Sequence, residues 1–110
     1  MDNYEEVITG QQLYKYTHYL YGEAFYGSYK GMRYRMAREP LENVFFKDKE
    51  TQESGQFMVT VWPEPNSYTT TADELKKSFF FPFTEQGRED AIRCLNEQYW
   101  SRKSDWDKHL

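Results

Sequence analysis

Tyr29-Lys30-Gly31-Met32-Arg33-Tyr34-Arg35-Met36-Ala37-Arg38 is the stretch of this chain where cations and rings are most closely mixed. A guanidinium suits phosphate or carboxylate oxygens because its donors form a fixed fork, and a neighbouring tyrosine offers a stacking face. Lys30, Arg33, Arg35 and Arg38 could therefore track a nucleic-acid backbone while Tyr29 or Tyr34 stacks on a base. The alternation supports a competing arrangement. Met32, Tyr34 and Met36 share one side of a strand, and Arg33 and Arg35 take the other, near acidic neighbours such as Glu39 and Glu42. One basic stripe in a chain of formal net charge −4 is less than the footprint expected of a nucleic-acid protein.

Other reactive side chains give weaker signals. Cys94 lies among Ile92, Arg93 and Leu95 on a helix expected to face the core, where a thiol acts as an inert small hydrophobe. As the single cysteine it closes no internal disulfide, which agrees with a reducing compartment. His18 and His109, the only histidines, are placed as neither a metal site nor an acid–base pair; His18 reads as a hydrogen-bonded helix residue. Gly22, Gly27 and Gly31 lack the Lys-Ser/Thr that completes a phosphate loop and read as turn glycines. Glu5, Glu6, Glu23, Glu39 and Glu42 follow no metal-ligand spacing. The expectation is a protein without catalytic residues, metal or cofactor.

Rings are the surplus. Aromatic residues are 19% of the chain and ten are tyrosines, against six Leu, four Val and two Ile. Each buried tyrosine needs a partner for its hydroxyl, and each exposed one is a rigid contact surface with a polar handle. Tyr, Trp and Arg also concentrate at interface hot spots, because they bury much area with few rotors to freeze. Tyr19, Tyr21, Phe25, Tyr26 and Tyr29 cluster around the glycines, and Trp100 and Trp106 fall near the chain end. Tyr21, Tyr26, Tyr29, Arg33, Arg35 and Trp106 are accordingly the candidate partner-binding residues. The competing role for the rings is closure of one aromatic core and its rim.

The elements that must position these residues follow from capping and period. Thr9 and Gln12 form a capping box, with Ile8 and Leu13 as a staple, so a helix is expected over about 10–21 and a stop at Gly22. Residues 22–31 read as turns. Strands are expected at 32–36, 43–46, 56–62 and 78–83, the third of them central because both its faces are apolar. Residues 47–55 read as a polar turn region, and Thr71 as the cap of one short helical turn. Thr84 caps a long helix whose stripe is Ile92, Leu95, Tyr99, Arg102 and Trp106. The fold class is α+β, one domain over 1–110, with an N-terminal helix, a four-stranded, largely antiparallel sheet and a long C-terminal helix packed on one face. The other face would carry Arg33 and Arg35 with some of Met58, Thr60, Trp62 and Phe80, a mixture suited to contact.

Charged residues are 29% of the chain and mean hydropathy is −0.99, so no membrane segment is expected. The opening Met1-Asp2-Asn3-Tyr4-Glu5-Glu6 lacks the basic and apolar regions of a signal peptide, which points to the cytoplasm. The apolar surface of Phe79–Phe83 and of the third strand also makes a homodimer an expectation.

Residues 31–44, together with Val61-Trp62-Pro63-Glu64-Pro65 and Phe81-Pro82-Phe83-Thr84-Glu85-Gln86-Gly87, resemble segments of small accessory proteins of bacterial phages and integrative elements. Some proteins of this kind are labelled acetyltransferase-like, although the Gln/Arg-x-x-Gly-x-Gly/Ala loop that holds the acetyl-CoA pyrophosphate is absent here. Others inhibit host nucleases, including CRISPR effectors; the likeness to those is one of size and charge. Aromatic excess, acidic flanking segments and the absence of a catalytic constellation, beside this resemblance, give the expectation of a non-enzymatic inhibitor or accessory protein that occupies a host protein or protein–nucleic-acid complex. The alternatives are a nucleic-acid-binding accessory protein using Lys30, Arg33, Arg35 and Arg38, and a degenerate acetyltransferase-like protein.

Overall fold

Alternating burial along the strands divides this chain into two sheet faces with different tasks. A computed structural model describes residues 4–110; the acidic opening at residues 1–3 lies outside them. In chain order the elements are α1 (Tyr16–Tyr19), β1 (Phe25–Tyr29), β2 (Met32–Glu39), α2 (Lys49–Glu53), β3 (Gln56–Pro63), one 3-10 turn (Asp73–Leu75), β4 (Lys77–Pro82), α3 (Glu85–Ser101) and α4 (Lys103–Asp107). The strands form an antiparallel meander in the order β1-β2-β3-β4, with β3 inside the sheet as expected.

Register sends Phe25, Met32, Tyr34, Met36, Phe57, Val59, Val61, Phe79 and Phe81 to one face, where α3 packs on β3 and β4. Thr84 caps α3 by accepting the Gly87 N–H at 2.9 Å, and Ala91, Ile92, Leu95 and Tyr99 are buried along its inner stripe. The helix breaks at Arg102, whose φ of −121° and ψ of 26° are not helical. The break lets α4 turn Trp106 into the core at 0% exposure, with its indole N–H donating to the Gln98 carbonyl at 3.1 Å.

Five local expectations are corrected. The N-terminal helix is only Tyr16–Tyr19; before it, a turn is closed by the Gln12 N–H on the Thr9 carbonyl at 3.0 Å. Side chains of α3 hold this segment by its backbone, and the Gly10 and Tyr14 carbonyls that Arg88 takes are ones a longer helix would have used. Arg88 donates to the Tyr14 and Gly10 carbonyls at 2.8 and 2.7 Å. Asn96 accepts from Val7 and Ile8 N–H at 2.8 and 2.9 Å and donates to the Ile8 carbonyl at 2.8 Å. Tertiary partners outbid local propensity here.

The glycine-rich stretch contains strand β1, and residues 43–46 do not form one. Lys30 and Gly31, with φ of 44° and 93°, make a two-residue hairpin loop of the kind that matches strand twist. At Gly31 the Trp106 carbonyl fills the place a Cβ would take, and at Gly27 the Tyr34 ring lies across the strand. The Asn43 side chain instead accepts the Phe45 N–H at 3.0 Å and Lys47 N–H bonds the Val44 carbonyl at 3.0 Å, an Asx-type turn. The polar region after it holds α2, capped by Asp48 on Thr51 N–H at 2.9 Å. Thr71 does not cap the turn after it; its hydroxyl donates to the Ser67 carbonyl at 2.6 Å.

Candidate binding face

The face away from α3 carries Tyr26 and Ser28 from β1, Arg33, Arg35 and Ala37 from β2, Met58, Thr60 and Trp62 from β3, and Ser78 and Phe80 from β4. Cross-strand pairing sets Tyr26 beside Arg35, Arg35 beside Thr60 and Arg33 beside Trp62. The segment between β3 and β4 folds back over part of this face. The Trp62 indole N–H holds it through the Asn66 carbonyl at 2.8 Å, and hydroxyl contacts among Ser67, Thr70 and Thr71 knit its turn. Tyr68 is thereby placed 5.5 Å from the Trp62 ring and 6.4 Å from the Tyr26 ring, centroid to centroid.

Between these rings sits Arg35. Its guanidinium carbon is 4.8 Å from the Tyr68 centroid and 5.9 Å from that of Tyr26, whose hydroxyl accepts its Nε–H at 3.3 Å. Such contacts ease the burial of a cation but replace only part of its lost hydration. Arg35 is 5% exposed, and its Nη1 is buried without a partner. Arg33 makes no side-chain hydrogen bond among the described residues, and its buried Nε is likewise unpartnered. No described carboxylate comes within 4.0 Å of either guanidinium. Lys76 adds a third cation, its Nζ 4.5 Å from the Tyr68 centroid and 3.3 Å from the fully exposed Asp73 carboxylate. A cleft of about 490 Å³ opens here, lined by Tyr26, Arg33, Trp62, Ser67, Tyr68 and Thr69 among others. Its chemistry is that of an anion-accepting, ring-walled contact site.

Of the six candidate contact residues, three meet: Tyr26, which is 57% exposed, Arg33 and Arg35. Tyr21 belongs to another cluster, stacked on Phe45 at 4.3 Å and 11° beside the exposed Phe46. Tyr29 faces the helices, edge-on to Tyr99 at 4.9 Å. Trp106 is a core residue, which corrects its assignment to a surface: the break at Arg102 supplies the inner layer that a continuous helix would not. The row of cations proposed for nucleic acid is also split. Lys30 sits in the hairpin loop, its Nζ 5.6 Å from the Tyr29 centroid, and Arg38 points to the α3 side at 1% exposure. Arg38 donates to the carbonyls of Pro40, Thr51 and Gln52 at 2.8, 3.1 and 3.3 Å, with Glu42 3.6 Å away, and so fastens the 40–53 connection. Sequence reasoning missed Tyr68 and Lys76, because the segment between Pro65 and Lys76 has no periodicity that fixes its path.

The remaining reactive groups have structural surroundings. Burial, with Glu97 adding to it, pushes the Cys94 thiol up to about 12, so it stays protonated at neutral pH. His18 is hydrogen-bonded to Glu23 at 2.9 Å and packs on Tyr14 at 4.1 Å. Among the described residues no group of three or more His, Cys, Asp or Glu could hold a metal ion, and no helix is long and apolar enough to cross a membrane. No protein-family model, curated protein or solved structure matches the chain.

Proposed function

We propose that this chain is a non-catalytic binding protein that engages a partner protein through the cleft around Tyr26, Arg33, Arg35, Trp62 and Tyr68. The observation that carries the reading is an arginine pair left without a counter-ion on a ring-lined, partly open face. Rings that bury area at low entropic cost, around cations still short of acceptors, are what hot spots of protein interfaces contain. The likeness of residues 31–44 to phage accessory proteins adds a partner class, a host defence complex such as a nuclease, whose activity binding would block.

The test is affinity capture of the tagged protein from a bacterial host lysate, nuclease-treated and untreated, with wild type beside Tyr68→Ala and Tyr21→Ala. A nuclease-resistant protein partner that Tyr68→Ala loses and Tyr21→Ala keeps supports the reading. Partner recovery unchanged by Tyr68→Ala removes this face from the interface. Recovery of nucleic acid alone favours the nucleic-acid alternative.

A further inference from the structure

We infer that the cleft recognises a carboxylate, an Asp or Glu side chain on an acidic segment of the partner, with Arg33 as the contacting fork and Arg35 as the supporting charge behind it. This inference rests on the binding face proposed above and adds the chemistry of what enters it.

The argument starts from what the two arginines lack. A guanidinium carries five N–H donors, all of which need acceptors when water is removed. On the α3 side the chain meets this need from its own backbone: Arg38 has three carbonyls and Arg88 has two. On the outer face Arg35 has one tyrosine hydroxyl and Arg33 has no acceptor among the described residues. Leaving buried donors unmade costs stability, so the missing acceptors are best supplied from outside. Arg33 lines the cleft directly, and Arg35 lies against two of its wall residues, Tyr26 and Tyr68.

The grouping of charge selects a carboxylate over a nucleic-acid backbone. Only Arg33 lines the cleft, with Arg35 behind its Tyr26 and Tyr68 walls and Lys76 held by Asp73 and the Tyr68 carbonyl, whereas a strand of phosphates needs cations repeated along a track. The next cations of β2 and its hairpin are not available to extend one: Arg38 is on the opposite face and Lys30 lies over Tyr29. The overall charge of −4 opposes an oligonucleotide and a long acidic run alike, so the favourable term is the single ion pair shielded inside the cleft. Tyr26, Trp62 and Tyr68 would exclude water around that pair, which strengthens it.

The experiment uses the full chain, isotopically labelled so that arginine Nε–H signals are resolved, titrated separately with end-blocked oligo-glutamate, end-blocked oligo-lysine and oligothymidylate. Oligo-glutamate should move the Arg33 and Arg35 signals and saturate, while oligo-lysine leaves them in place. Arg33→Gln, which has no internal side-chain partner to lose, should weaken the peptide about tenfold or more, the loss of a charge-assisted hydrogen bond. Arg33→Lys, which keeps the charge without the fork, should fall between. Oligothymidylate binding more tightly than oligo-glutamate, with a steep salt dependence, would overturn the inference in favour of nucleic acid. Absence of any response to oligo-glutamate also overturns it. In that event partner capture by Tyr68→Ala separates the two levels: lost capture leaves the binding face standing without a carboxylate, and retained capture removes both.

Discussion

Arg35 and Arg38 stand three residues apart on the same strand, are both nearly sealed from solvent, and face opposite sides of the sheet. Arg38 spends its donors on three backbone carbonyls and holds a connection in place. Arg35 is wedged between two tyrosine rings with one hydroxyl acceptor and an unpartnered Nη1. Burial alone therefore does not define what a charged residue is for. The partners of its donors say more: the helix-side guanidiniums of Arg38 and Arg88 are met by backbone carbonyls, whereas the outer-face pair keeps the buried Arg33 Nε and Arg35 Nη1 without an acceptor.

Substitutions on the two sides should separate accordingly. The largest effect is expected at the closed side, where Trp106→Ala removes a fully buried ring and should cost about 4 kcal/mol in a denaturant melt. Arg38→Met should cost about 3 kcal/mol, because it strands three carbonyls and loosens residues 40–53. Alkaline pH probes the same side. The folded-state value of the Cys94 thiol is raised from 9.0 to about 12, so its contribution is complete below pH 9 and is lost as pH rises toward 12. Melts across that window should show a loss of about 1.4 kcal/mol per pH unit from this group, which Cys94→Ala abolishes. Thr84→Ala, which removes the cap of α3, should cost about 1 kcal/mol. Smallest of all is the outer face: Arg35→Met should change stability by less than about 1 kcal/mol or raise it, since a well-packed apolar chain there needs no acceptors.

The closed side was the more legible in sequence. Alternation in β2 and β3, the phenylalanines of β4, the Thr84 cap and the stripe of Ile92, Leu95 and Tyr99 predict three of the four strands and the long helix that packs on them. Local signals failed where distant residues decided. The Thr9–Gln12 box keeps its Thr9 N–H bond to the Gln12 side chain at 3.2 Å, but the Gly10 and Tyr14 carbonyls that would continue a helix accept from Arg88, more than seventy positions away in sequence. Strand β1 hid behind three glycines: Gly22 passes close to the Glu42–Asn43 backbone, Gly27 admits the Tyr34 ring, and Gly31 makes the hairpin turn against the Trp106 carbonyl. Arg33 and Arg35 could be grouped by alternation, but Tyr26 lay in a stretch read as turns, and Arg38 could not be separated from the pair until the strand was seen to continue to Glu39. Tyr68 reaches the site through an irregular connection held by one indole N–H, a path that no period encodes.

Arg35→Met separates a binding role for this guanidinium from a stabilising one in a single paired measurement: the denaturant midpoint, and capture of the partner beside binding of oligo-glutamate. The expected result is stability within about 1 kcal/mol of wild type, or above it, with both binding signals weakened. A variant that unfolds as Arg38→Met does, or one that folds and binds as wild type, would contradict it.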